Sequence, residues 1–132
     1  MPQQKVEIVR AMFEAFNRGD VEMARDALHP DAELHQPPEV ADANSYYGRE
    51  DFARGLSLWL SAFDDPRFEI LEASEVDDRV IMRIGVSGKG RASGINASAE
   101  FFHLWTLRDG QPYQCFVRSS RAEAIRALEL TR

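Results

Sequence analysis

The segment FNRGDVEMARDALHPDAELHQPP, residues 16–38, constrains the fold most tightly, because it ends one helix, completes another and opens a strand within one short span. Upstream of it Val6, Val9, Met12, Phe13 and Phe16 recur at helical spacing and predict a first helix from about residue 4 to 18. Gly19 suits the left-handed turn that follows a helix, and Asp20 can cap the next one. Val21, Ala24 and Leu28 form one apolar stripe on that second helix, which His29-Pro30 ends. The pattern then alternates: Ala32, Leu34 and Gln36 share one strand face, Glu33 and His35 the other. Pro37-Pro38 closes the strand, since proline cannot donate to a sheet ladder.

A polar loop over residues 37–48 closes with Tyr46-Tyr47-Gly48. A third helix follows from about 49 to 63, with Phe52, Leu56, Trp59, Leu60 and Phe63 on one side. Beyond it the period becomes two. RFEILEASEV and RVIMRIGVS read as strands about an Asp77-Asp78 turn, and SGKGRASG, residues 87–94, as a flexible connection. SAEFFHLWTL and PYQCFVRS pair through the hairpin signal Asp109-Gly110. Ser120-Arg121-Ala122-Glu123 has the form of a capping box that opens a last helix over 121–129. The expectation is a single domain over residues 1–132, with three helices around one strand, then a four-stranded antiparallel meander and a terminal helix.

Composition narrows function by exclusion. A net charge of −6 argues against nucleic acid, whose binding relies on Lys and Arg neutralising phosphates. No apolar run approaches the roughly 20 residues that span a bilayer, so no membrane partner is expected. The first residues lack the apolar core of a signal peptide, which makes the cytoplasm the expected location. Cys115 is the single cysteine, with no base beside it in sequence, and reads as a buried structural thiol. His29, His35 and His103 stand at no metal-binding spacing; neither metal nor cofactor is implied.

The helix with its Gly-Asp break, the short second helix, the HPDAEL strand, the YGRED start of the third helix and the LRDG hairpin together resemble the nuclear-transport-factor-2-like superfamily. Within it they are most similar to the SnoaL-like and ketosteroid-isomerase-like branch. The resemblance implies an α+β fold: a cone-shaped, curved antiparallel sheet wrapped by three N-terminal helices, a cystatin-like roll around a deep apolar cavity. Ketosteroid isomerases carry an aspartate base where Gln36-Pro37 stands here, an oxyanion-binding tyrosine where Met12 stands, and a protonated aspartate where His103 stands. All three positions differ, so their mechanism is not expected.

The strand SAEFFHLWTL has two apolar faces and therefore needs two covers. Phe101, His103 and Trp105 are expected to face the cavity. Phe102 and Leu104 on the outer face would suit a partner subunit, and because relatives commonly pair through this face, a homodimer is expected. Within the cavity His103 is the candidate proton carrier or, equally, a core histidine with one hydrogen bond. Gln36 is the candidate group for orienting a ligand oxygen, or it satisfies the backbone of the proline loop. The remaining expected ligand contacts are Met12, Leu34, Leu56 and Trp59 among the apolar residues, together with Phe101, Trp105, Cys115 and Tyr47. His35 should point to the opposite face from Gln36, and Arg118 outward unless a bulge turns it in.

Two functions remain open at this level. One is a SnoaL-like enzyme doing acid/base chemistry (isomerase, cyclase or dehydratase type) on a small hydrophobic carbonyl compound. The other is a non-catalytic dimeric module that binds an apolar ligand or serves as an assembly platform. No carboxylate is placed on the inner face by the alternation.

Overall fold

The computed structural model describes residues 4–37 and 45–131. In chain order the elements are α1 (Gln4–Asn17), α2 (Val21–Ala27), β1 (Glu33–His35), β2 (Ser45–Tyr47), α3 (Arg49–Leu60), β3 (Phe63–Val76), β4 (Arg79–Gly90), β5 (Asn96–Arg108), β6 (Gln111–Arg118) and α4 (Arg121–Leu130). The strands form one sheet in the order β2-β1-β6-β5-β4-β3. The sheet is curved and unclosed, and the fold is α+β as expected.

Local chemistry sets the element ends where the sequence indicates them. Gly19 sits at φ 89 after α1, and the Asp20 side chain accepts from the Met23 N–H at 3.1 Å to cap α2. Ser120 caps α4 by accepting from the Glu123 N–H at 3.2 Å. Between Arg108 and Gln111, which pair across the ladder, Asp109 and Gly110 both take positive φ, 54 and 74. That is the two-residue hairpin turn whose twist matches its strands.

Several expectations change. The sheet is mixed: β1 runs parallel to β6, with Leu34 beside Cys115, while every other pairing is antiparallel. Ser45-Tyr46-Tyr47 is a strand, not loop, pairing with Glu33–His35. The first half of SGKGRASG is strand, since β4 continues to Gly90 and Lys89 pairs with Asn96, and only the second half makes the turn. α3 ends at Leu60, and β3 starts at Phe63 with register shifts between Asp64 and Arg67 and between Ile70 and Glu72. Such bulges bend a strand and strengthen its twist, which is what curls the sheet around the helices.

The largest correction concerns the outer face. Leu104 is fully buried inside the chain, packed with Ala127 and Leu128 of α4 and with Val76, Ile81 and Phe116. The cover it requires is the chain's own last helix, so Leu104 is no exposed dimer contact. Phe102 stays half-buried beneath the Arg121 guanidinium, 5.1 Å from its ring. Buried Arg79 donates to Thr106 Oγ1 at 2.9 Å and to Thr131 Oγ1 at 2.7 Å, which fastens the end of α4. Arg118 pairs with Phe102 in register and lies on the outer face, as alternation predicts. Among the described residues no helix is long and apolar enough to cross a membrane.

Candidate functional site

Residues on the concave face of the sheet and the apolar stripes of α1, α2 and α3 enclose a cavity of about 120 Å³. An engineered apolar cavity of about 150 Å³ takes up benzene, so this one has room for roughly a single ring. Phe101, His103 and Trp105 of β5 enter it at alternate positions, and Cys115 and Val117 of β6 do the same beside them. Met12 from α1, Leu34 from β1, and Leu56 and Trp59 from α3 also line it. Tyr47 does not: it is 62% exposed, while its neighbour Tyr46 is the buried one. The three-residue strand β2 puts adjacent tyrosines on opposite faces, and Tyr46 packs so closely on α3 that a Cβ at Gly55 would lie 2.6 Å from its ring.

His103 lies at the apolar wall, 7% exposed, with its ring centroid 5.9 Å from that of Phe13 and 6.1 Å from that of Trp105. Burial pushes its pKa down to about 4, so the imidazole is neutral near pH 7. A neutral ring offers one N–H donor and one acceptor nitrogen. Its Nδ1 is buried and has no hydrogen-bond partner among the described residues, and the same is true of Trp105 Nε1. The Cys115 thiol, 1% exposed, is pushed well above its ordinary pKa by burial and stays protonated. It is a wall residue and no nucleophile.

Gln36 follows the last residue of β1 and lines the same cavity. His35 pairs with Phe116, and Val117 pairs with His103, so Gln36, Val117 and His103 fall on one row across the sheet. Two strand spacings put the Gln36 and His103 backbones about 10 Å apart. Val117 stands between them in that row, and Gln36, Val117 and His103 thus line the same cavity.

The other histidines do structural work. His29 is buried; its Nδ1 accepts from the Asp31 N–H at 3.0 Å and its Nε2 approaches Asp109 Oδ2 at 3.4 Å, tying the α2–β1 connection to the β5–β6 hairpin. His35 points to the outer face, as alternation requires, and stacks on Phe116 at 4.6 Å. Its Nε2 lies 2.9 Å from Glu33 Oε1. Burial of Glu33 opposes ionisation, but hydrogen bonds from His35, Gln114 and Tyr113 outweigh it and hold the carboxyl below its usual pKa.

What sequence reasoning missed is Arg25, which lines the cavity from α2. It stands four residues after Val21 and directly after Ala24, at the edge of the apolar stripe, and that spacing is the signal that marks it. Among the described residues no three His, Cys, Asp or Glu side chains are arranged to hold a metal ion.

Residues 9–113 match the model of the SnoaL-like domain. The chain belongs to that family. Solved structures agree on the fold of this SnoaL-like protein. An NTF2-like protein of unknown function from Burkholderia pseudomallei superposes with a TM-score of 0.76 at 21% identity, over 93% of this chain and 95% of that one. A protein described as a SnoaL-like polyketide cyclase from Jannaschia sp. CCS1 gives 0.76 at 17% identity, over 96% and 92%. TerC, co-crystallised with polyporic acid, gives 0.76 at 22% identity, over 96% and 98%. At such identities the likeness is one of fold alone. No curated protein sequence matches the chain.

Proposed function

We propose that this SnoaL-like protein binds a small, largely apolar molecule in its cone and that His103 and Gln36 hold a carbonyl or hydroxyl oxygen of that molecule. One observation carries this reading: His103 Nδ1 and Trp105 Nε1 are buried without partners at the wall of one cavity. A buried polar group left unpaired costs about 1–3 kcal/mol. A ligand oxygen brought within reach of either nitrogen by a turn of that nitrogen's ring would recover that cost.

The chemistry that fits is selective. Among the described lining residues there is no carboxylate. With a pKa of about 4, His103 accepts protons poorly at neutral pH. Its stronger contribution is as a neutral donor to an oxygen on which negative charge develops, the electrostatic half of an isomerase, cyclase or dehydratase step. The binding site is the primary proposal, and turnover of a carbonyl substrate is its enzymatic extension.

Native mass spectrometry of the protein as purified, followed by titration with acetophenone while Trp59 and Trp105 emission is monitored, tests it. Expected is either a retained small-molecule mass or a saturable change in emission, abolished by the cavity-filling variant Leu56→Trp. A spectrum without adduct, together with no saturable change up to millimolar acetophenone, overturns the proposal. The same spectrum reports the subunit count, and a monomer removes the expected homodimer.

A further inference from the structure

Resting on that cavity reading, we infer that the ligand is an organic anion: an apolar body with an acidic group that stays at the cavity mouth on Arg25. Three observations lead there. First, the mouth can be located. Of the lining residues, Val21 on α2 and Ser57 on α3 are exposed and Arg25 is half-buried, whereas the sheet-side lining is buried or half-buried. Among the described residues the cavity therefore opens along the seam between α2 and α3. Second, Arg25 is the one permanently charged residue among the described lining, and it stands at that opening. Third, its Nε is buried yet has no hydrogen-bond partner.

The two nearest carboxylates do not satisfy it. Arg25 Nε lies 3.5 Å from Asp26 Oδ1 and 3.7 Å from Glu50 Oε1, and neither contact has hydrogen-bond geometry. Glu50 is 80% exposed, so water and salt weaken its hold on the guanidinium. A carboxylate, or an enolate or phenolate oxygen, arriving with an apolar tail gives Arg25 a charge-assisted partner at a partly dry site, where such bonds are strongest. The tail enters between α2 and α3, and its far end reaches the His103 row. Arg25 thus selects for an acid, and Glu50 acts as the displaceable stopper that screens it when the cavity is empty.

The probes are 3-phenylpropionate and its neutral counterpart 3-phenylpropionamide, alike in size and fitting a one-ring cavity. Binding to the full chain at pH 7 is followed by tryptophan emission excited beyond tyrosine absorption, with circular dichroism confirming the fold of each variant. The acid is expected to bind about tenfold more tightly than the amide. Arg25→Gln should bring the acid to within about twofold of the amide, whereas Glu50→Gln should tighten the acid several-fold. Equal affinity for acid and amide in the wild type, or an acid preference that persists in Arg25→Gln, overturns the inference and leaves the cavity reading standing. Failure of both probes to bind at millimolar concentration counts against the cavity reading itself and the inference with it.

Discussion

Replacing His103 by phenylalanine should make the empty protein more stable while removing its grip on a ligand oxygen. The imidazole is buried with Nδ1 unpartnered, and an unsatisfied buried polar group costs about 1–3 kcal/mol. The added ring atoms project toward a cavity of about 120 Å³, so overpacking is avoided. At pH 7 a gain of about 1 kcal/mol is expected, equivalent to a rise of about 3–5 °C in Tm for a chain of this length. The pH dependence makes the prediction sharper. Burial lowers the folded-state pKa from 6.5 to about 4, so the unfolded chain takes up this proton first. The stability associated with neutral His103 is intact above pH 6.5 and is lost as the pH falls toward 4. Each pH unit in that window is worth about 1.4 kcal/mol, so between pH 6.5 and 5 the wild type loses about 2 kcal/mol that the variant keeps. Carboxylates common to both proteins cancel in the difference. Urea unfolding of both at pH 7 and pH 5 measures it, and a stability gap that does not widen at pH 5 would show that His103 is solvated or paired.

Cys115 should resist Ellman's reagent in the folded state and react only as the protein unfolds in urea, because it is 1% exposed and protonated; rapid labelling without denaturant would place the thiol outside the core. Leu104→Ala should cost about 3 kcal/mol in chemical denaturation, as expected for a leucine truncated under a helix, and the cost should not vary with protein concentration. A cost that grows on dilution would return Leu104 to an interface between subunits.

The periods of the chain reached the structure well wherever one element settled the matter. The apolar repeat from Val6 to Phe16 gave α1 almost to the residue, and alternation along β5 put Phe101, His103 and Trp105 into the cavity. Gly19-Asp20 and Asp109-Gly110 marked their turns because each needs a particular backbone conformation or cap. What escaped was non-local. The parallel pairing of β1 with β6 joins residues some eighty positions apart, and nothing local in Glu33–His35 announces it. β2 is three residues long, too short for alternation to say that Tyr46 turns in and Tyr47 out. The two apolar faces of β5 correctly demanded two covers. The apolar stripe Ala124, Ala127 and Leu128 that supplies the outer one was present in the sequence, but its docking place was not. Arg25 escaped for a different reason: a cation beside an apolar stripe reads as a solvated edge until the opposite wall is known.

That residue changes how the cavity is understood. Arg25 Nε, His103 Nδ1 and Trp105 Nε1 are three buried polar atoms without hydrogen-bond partners, and all three residues line one space. A chain shaped only for stability would replace the histidine with an aliphatic residue and close the helices onto the sheet, since each unpaired group costs more than an apolar substitute of similar volume. Local disagreement with the rules of a well-packed core is expected at functional sites. Here three such groups stand at the wall and mouth of one cavity; outside it, Glu75 Oε2 is likewise buried without a hydrogen bond, beside Lys5, and buried Arg79 is bonded to Thr106 and Thr131. The order of the three groups is informative too. The permanent cation stands at the entrance on α2, and the neutral donors stand deeper on β5. An entering molecule thus meets the charge first and the neutral donors only after its apolar part is buried, an arrangement suited to a ligand with polar groups at both ends and none between.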